Sequence, residues 1–470
     1  MPVLLEYSND DIAHYLTDGF WADYGDPQII RHSFPIAPGG TITIDMSTVE
    51  AAGQFLAQRA LEAWTMVSGI NFSIINTIGA DITFTDDIIL DDNGNELNPV
   101  GGSSWYIPSG SSFDGFVNVS TNWIDQYGYG LDSYSFHTYM HEIGHALGLG
   151  HAGNYNAVPD GDPIFYASDG TGANEYLNDS WQATIMSYFS PYENTHIAAG
   201  WTYFTDLTGV MTPMIADILA IQDLYGAVGN LRMGDTVYGE GSTAGGYYDS
   251  YLTAQSAFTI VDDGGMDTIN FSSETANQNV NLFPEMFSSV GGLVGNMIIM
   301  RDTIIENFFS GSGNDFVIAN GADNWIKGNE GDDVLNGRGK DDVLSGGLGN
   351  DILRGGAGAD RLFGKDGDDV LRGGIGRDKL TGGAGADTFV FKDGWAVDRI
   401  NDFEEGFDTI KLDSNLWGGP ATVAEAMTYA EVLVNAGGVS YVEFDFLDGD
   451  KLKVFGISDL SVLDDYITIF

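Results

Sequence analysis

Apolar residues recur at helical spacing over AAGQFLAQRALEAWTMVSG, residues 51–69, where Phe55, Leu56, Ala60, Leu61 and Trp64 fall on one face. INFSIINTIGADITFTDD, which follows, alternates instead with a period of two, and its Asp81-Ile82-Thr83-Phe84 reads as a strand. In SSWYIPSGSSFDGFVNVS, turn residues separate two further extended runs. Helical spacing returns in SYSFHTYMHEIGHALGL, 133–149, and in TPMIADILAIQDLYG, 212–226, which Gly226 is placed to cap. Residues 1–225 therefore read as mixed α and β, with helices packed on a small sheet.

Beyond Gly226 the pattern changes to Gly, Asp and Asn punctuated by short apolar runs, which puts a domain boundary near 226–234 and a second domain over 226–470. From Ser310 to Val390 a nine-residue period runs through nine units without a shift, as in GGLGNDILR, GGAGADRLF and GKDGDDVLR. Position eight is apolar throughout, from Val317 and Ile326 to Leu380 and Phe389. Position six is Asp315, Asp333, Asp342, Asp351, Asp360, Asp369, Asp378 or Asp387, with Asn324 the exception. Such a repeat suits calcium: glycines such as Gly311, Gly313, Gly347, Gly349, Gly356 and Gly358 permit turns that aim carbonyls inward, and each Asp adds a hard anionic oxygen. Two units would make one turn of a flattened parallel β-helix, with calcium bridging loops two units apart and pairing Asp333 with Asp351, Asp342 with Asp360, and so on. Asn324, and Ala322 and Lys340 at position four, predict poor sites in the first three or four units. The last 80 residues lose the period but keep strand-like segments.

Eighteen basic residues against 68 acidic ones leave a net charge of −50, which repels nucleic acid and anionic membranes and attracts cations. No apolar run is long enough to span a membrane, and MPVLLEYSNDDIAHY has neither the basic nor the apolar part of a signal peptide. With no cysteine, any metal ligand must be His, carboxylate, Tyr or carbonyl.

Three of the seven histidines lie in HEIGHALGLGH, 141–151. His141 and His145, four apart on a helix, stack on one face and can reach one zinc. Gly148 can take positive φ, end the helix and turn the chain so that His151 returns as third ligand, leaving a fourth position for water. Glu142 then stands beside that position as general base. His137, a turn earlier, reads as a packing residue.

HEIGHALGLGH matches the HExxHxxGxxH signature of the metzincins, and TIMSYFSP, 184–191, resembles their Met-turn. The chain is most similar to the serralysins, zinc endopeptidases with calcium-binding RTX repeats; NDDIAHYLTDGFW, MGDTVYG and DDGGMDTINFS support this. The resemblance implies an α+β metzincin catalytic domain followed by an all-β parallel β-roll and β-sandwich domain. It implies a metalloendopeptidase with one catalytic zinc, several structural calcium ions, Met186 beneath the zinc site and Tyr188 as a mobile fifth ligand that stabilises the oxyanion. A further calcium site at the junction would use Asp235, Asp262 and Asp267 with carbonyls around Arg232 and Gly234. The substrate would be an extended peptide on a sheet edge around Trp105 to Ile107. The resemblance also implies a secreted, extracellular monomer, exported unfolded by type I secretion through a C-terminal signal that DDYITIF fits, and a proteinaceous inhibitor as a further partner. No substantial propeptide is expected. Ala152 departs from the Pro that usually follows the third His. The competing class is a calcium-dependent surface or adhesion protein with a vestigial zinc site, which the intact His141, Glu142, His145, His151 and Tyr188 oppose.

Overall fold

The computed structural model describes residues 7–20, 33–87, 102–109, 112–153, 180–187, 210–251, 253, 256–418, 422–447, 449–457 and 459–470. It divides into two compact units, Met1–Met233 with Ala244–Asp263 and Leu293–Thr303, and Gly234–Thr243 with Gly264–Gly292 and Ile304–Phe470. The division is not a single cut near 226–234. Tyr247, Val261, Ile298 and Met300, from the two segments that return, are buried in the apolar core of the first unit.

The first unit has a five-stranded sheet of β1 (Thr41–Asp45), β2 (Asn71–Ile74), β3 (Ile82–Thr85), β4 (Gly102–Ser109) and β5 (Ser112–Val119). The order is β2-β1-β3-β5-β4; all neighbours are parallel except β4, which pairs antiparallel with β5 and forms one edge. Helix α1 (Asn9–His14) begins at Ser8, which shares a capping box with Asp11. Helix α2 (Ala51–Ser68) ends at Gly69, whose φ of 70° continues the chain where a Cβ would be disfavoured. Leu56, Ala60, Leu61 and Trp64 of its predicted face are buried, whereas Phe55 is 43% exposed and lies under the Arg59 guanidinium, 5.9 Å from ring centroid to Cζ. The face is thus one residue narrower than the apolar pattern suggests.

After α3 (Thr121–Tyr127) comes α4 (Tyr134–Ala146), capped by the Ser133 side chain, and α5 (Ile215–Tyr225) ends at Gly226 with φ 83°. Trp64, fully buried on α2, donates its indole N–H to the Met140 carbonyl at 3.1 Å, and Tyr225 donates its hydroxyl to the Leu147 carbonyl at 2.7 Å. These two bonds fix the middle and the end of α4 against its neighbours. No described helix is long and apolar enough to cross a membrane.

In the second unit, successive nine-residue units place their strands alternately in two parallel sheets, so each residue faces the one eighteen later: Trp325 pairs with Val343, Val343 with Arg361, Leu335 with Leu353 and Leu353 with Leu371. Two units therefore make one turn, as the repeat predicts. Every position-eight side chain is buried between the sheets, which close no barrel. One sheet has eleven strands, including the antiparallel Ala430–Val434 and Ser440–Asp445; the other has eight and ends on Ile467–Ile469. This is the α+β part followed by an all-β parallel coil that the sequence predicts.

Candidate metal centre

His141 and His145 project from the same face of α4, and Gly148, at φ 111°, ends the helix. Gly150 then passes so close to Phe20 that an added Cβ would lie 2.3 Å from the ring, and its N–H donates to the Leu16 carbonyl at 2.7 Å. This contact brings His151 back, with Phe20 edge-on to its ring at 5.2 Å between centroids.

The ligand-type nitrogens of His141, His145 and His151 all lie within 4.8 Å of one another, and Nε2 of His145 is 3.0 Å from Nε2 of His151. Imidazole–zinc bonds of about 2.0–2.1 Å in a tetrahedral site put such nitrogens about 3.3 Å apart, so the set fits zinc. His141 Nδ1 is 2.8 Å from the Ile185 carbonyl and His145 Nδ1 is 2.8 Å from the Leu149 carbonyl. Each carbonyl accepts a hydrogen bond from Nδ1–H, which leaves Nε2 as the lone-pair donor. Burial pushes the His141 imidazole down to about 4, the Ile185 bond opposing, which keeps it neutral as a ligand must be. Glu142 is buried beside it. His137 is packed 4.3 Å from Trp181 and 5.7 Å from Tyr134 between ring centroids, and 6.5 Å from His141.

Met186 is fully buried against α4 at Gly144, where an added Cβ would lie 2.6 Å from its Sδ. Ala152 donates its N–H to the Met186 carbonyl at 3.2 Å, a bond that a proline there could not form. Sequence reasoning missed what holds this turn. The fully buried Asp217 carboxylate accepts from Thr184 Oγ1 at 2.5 Å, Ile185 N–H at 2.9 Å and Met214 N–H at 2.8 Å. An acid in the first turn of an otherwise apolar helix was the available signal, but it reads as a local cap. Tyr188 lies outside the described residues, as do the side chains of Trp105 to Ile107.

In the coil, each position-six carboxylate is buried, and from Asp333 onward its Oδ1 accepts the backbone N–H of the position-six residue eighteen earlier: Asp351 from Asp333, Asp360 from Asp342, Asp369 from Asp351, Asp378 from Asp360 and Asp387 from Asp369, at 2.8–2.9 Å. Their Oδ2 atoms, with that of Asp315, are buried with no hydrogen-bond partner among the described residues. At Gly328 an added Cβ would lie 2.0 Å from Asp333 Oδ2 and 2.7 Å from the Gly346 carbonyl oxygen, so a carboxylate and a carbonyl share one small space. Burial above all, then neighbouring carboxylates, pushes Asp333 and Asp342 up to about 8 and Asp360 and Asp369 up to about 7. This donor set fits a hard divalent cation. Gly347, Gly349, Gly356 and Gly358 have φ of 114–156°, while Gly311 and Gly313 are held by close backbone approach to residues 274 and 276. Asn324 keeps the backbone ladder, donating its N–H to Asp342 Oδ1, and Lys340 keeps the left-handed turn at φ 77°.

Of the residues expected at the junction, Asp235, Asp267 and Gly234 belong to the second unit. There Asp235 Oδ1 accepts from Met266 N–H and Asp267 Oδ1 from Thr236 N–H. Arg232 and Asp262 belong to the first, where the Arg232 guanidinium donates to the carbonyls of Val261 and Met66.

Residues 41–160 match the Matrixin family of peptidase M10, and residues 227–448 match the family described as Peptidase M10 serralysin C terminal. The matched part of the first unit is therefore matrixin-like in fold. The chain thus carries a matrixin-like segment followed by a serralysin-type C-terminal one. Its relatives include metallopeptidase AprA of Pseudomonas marginalis, 36% identical over 61% of this chain and 59% of the relative. Serralysin of Photorhabdus luminescens is 38% identical over 58% and 53%, and serralysin C of Dickeya chrysanthemi is 44% identical over 40% and 37%. The chain spans about half the length of the curated relatives it matches.

Proposed function

We propose that this chain is a secreted zinc-dependent endopeptidase whose second domain folds around calcium. The observation that carries the reading is the convergence of three imidazoles, two of them oriented by backbone carbonyls through Nδ1. His141, His145 and His151 would hold the metal; zinc there supplies a Lewis acid for the scissile carbonyl and makes water acidic enough to lose a proton near neutral pH.

Glu142 takes that proton as the water oxygen adds to the carbonyl carbon, then delivers it to the departing amide nitrogen as the C–N bond breaks. Tyr188 is assigned to donate a hydrogen bond to the developing oxyanion, and Met186 to form the floor beneath the imidazoles. An extended peptide would lie along β4, the edge strand, using its unpaired backbone groups. The natural substrates are proteins or peptides.

Calcium in the coil would link the orphaned Oδ2 atoms to carbonyls of the next turn, so folding would follow export from a low-calcium to a millimolar-calcium compartment. Type I secretion fits such a chain.

The test is hydrolysis of denatured casein in millimolar calcium, with and without a zinc chelator, beside the Glu142→Ala variant. The expected outcome is chelator-sensitive cleavage with about one zinc per chain. Glu142→Ala should keep the zinc but lose about 10²–10⁴-fold in kcat/KM. Near-normal hydrolysis by the variant would overturn the assignment of Glu142.

A further inference from the structure

Fourteen of the chain's eighteen lysines and arginines lie between residues 327 and 453. Within the nine repeat units, nine basic residues stand against fourteen acidic ones, eight of which are the position-six aspartates turned into the coil. Only six acidic residues remain for the outer surface, so it carries a surplus of positive charge on a strongly acidic protein.

That charge has a definite arrangement on the eleven-stranded sheet. One row across the strands reads Trp325, Val343, Arg361, Lys379 and Arg399; the next reads Phe309, Lys327, Ser345, Phe363 and Thr381. The middle strand, Val343–Leu348, offers only Ser345 and Gly347 beside Lys327 and Lys365, its partners on the flanking strands. Parallel strands are about 4.8 Å apart, so these small residues leave a trough about 10 Å across between the flanking strands. A hollow of 290 Å³ occupies it, lined by Lys327, Asn329, Ser345, Gly347, Lys365 and Asp366 among others.

The cations are fixed by aromatic rings rather than by carboxylates. Lys327 Nζ lies 4.4 Å from the Phe309 ring centroid and 4.2 Å from that of Trp325, while Lys365 Nζ and Arg361 Cζ lie 5.4 and 5.6 Å from that of Phe363. Among the described residues none of these three cations forms an ion pair, in contrast to Lys451 and Lys453, which pair with Glu443 on the same sheet. Trp325, two residues along the strand from Lys327, is 43% exposed.

We propose that this trough binds an acidic polysaccharide, a polymer of carboxylated sugars. Its carboxylates would meet Lys327 and Lys365, its hydroxyls would exchange hydrogen bonds with Asn329, Ser345 and Asp366, and the apolar face of a sugar ring would lie against Trp325. Asp366 decides between classes of polyanion. A carboxylate on the rim repels a polyanion that has only acceptors, but accepts from the hydroxyls that every sugar carries. The site is separate from the metal centre and does not depend on peptidase activity.

The experiment uses the full chain in millimolar calcium and measures binding to short hyaluronan and oligogalacturonate fragments that stay soluble with calcium. Dextran oligosaccharides and poly-glutamate serve as neutral and non-sugar probes. The Lys327→Gln/Lys365→Gln double variant is compared with Arg354→Gln/Arg372→Gln, which removes the same charge from the other sheet. The expected result is salt-sensitive binding of a carboxylated saccharide. It should weaken on the order of tenfold or more in the first variant and stay unchanged in the second, with an unaltered calcium-dependent circular dichroism spectrum in both. The proposal is overturned if neither carboxylated saccharide binds, if dextran or poly-glutamate binds as tightly, or if both variants lose binding equally.

Discussion

Removing the Asp217 carboxylate tests whether the turn that carries Met186 is held as described. In Asp217→Ala two backbone N–H groups and the Thr184 hydroxyl face a void in a fully buried place. At about 1–3 kcal/mol for each buried polar group left unmade, the loss over the three groups is roughly 3–9 kcal/mol, a large part of the ~5–15 kcal/mol that keeps a domain folded. The damage should also reach the metal. Ile185 donates its N–H to Asp217 and offers its carbonyl to His141 Nδ1 at 2.8 Å, and loss of such an outer partner typically costs about 10–100-fold in metal affinity. Asp217→Asn should do far less harm, because an amide can turn its oxygen to the two N–H groups and its NH2 to Thr184 Oγ1.

The same site sets a pH dependence. Burial pushes the Asp217 carboxyl up to about 7 from its ordinary 3.8, its three hydrogen bonds opposing. Between those values the folded chain holds a proton that the unfolded chain has released. The contribution to stability is therefore full on the acidic side and is lost as pH rises from about 4 through about 7. Urea unfolding of the zinc-loaded chain at fixed calcium, across that range, with chelator competition for zinc, reads both effects. The reasoning fails if Asp217→Ala unfolds at the wild-type midpoint with wild-type zinc affinity. It fails equally if Asp217→Asn retains the full pH slope.

Two further substitutions probe other links. Gly150→Ala places a Cβ 2.3 Å from the Phe20 ring, so it should cost about 1–3 kcal/mol and weaken zinc retention by displacing His151; unchanged retention in a chelator titration would refute the packing argument. Leu353→Ala removes a fully buried side chain stacked between Leu335 and Leu371, which should cost about 2–5 kcal/mol and move the circular dichroism transition of the full chain to higher calcium. An identical calcium midpoint would show that this column does not hold the coil together.

Features that repeat or act locally were legible in the sequence. A helix period puts His141 and His145 on one face, and Gly148 takes the positive φ that its place after the second histidine requires. A nine-residue period sets the coil's pitch at eighteen and sends every position-eight side chain inward, because each unit meets the same neighbours as the last. The tertiary structure alone decided which distant groups finish the site. Asp217 reads as a cap until Thr184 and Ile185 fold onto it, and Gly150 reads as one more loop glycine until Phe20 arrives from the other end of the domain. Likewise Phe55 sits at the edge of its helix face and is left outside, while the segments around Val261 and Ile298 return to the first unit's core. Periodicity specifies which face of an element is apolar; which partner covers that face is settled by contacts between residues far apart in the chain, and no local pattern records them.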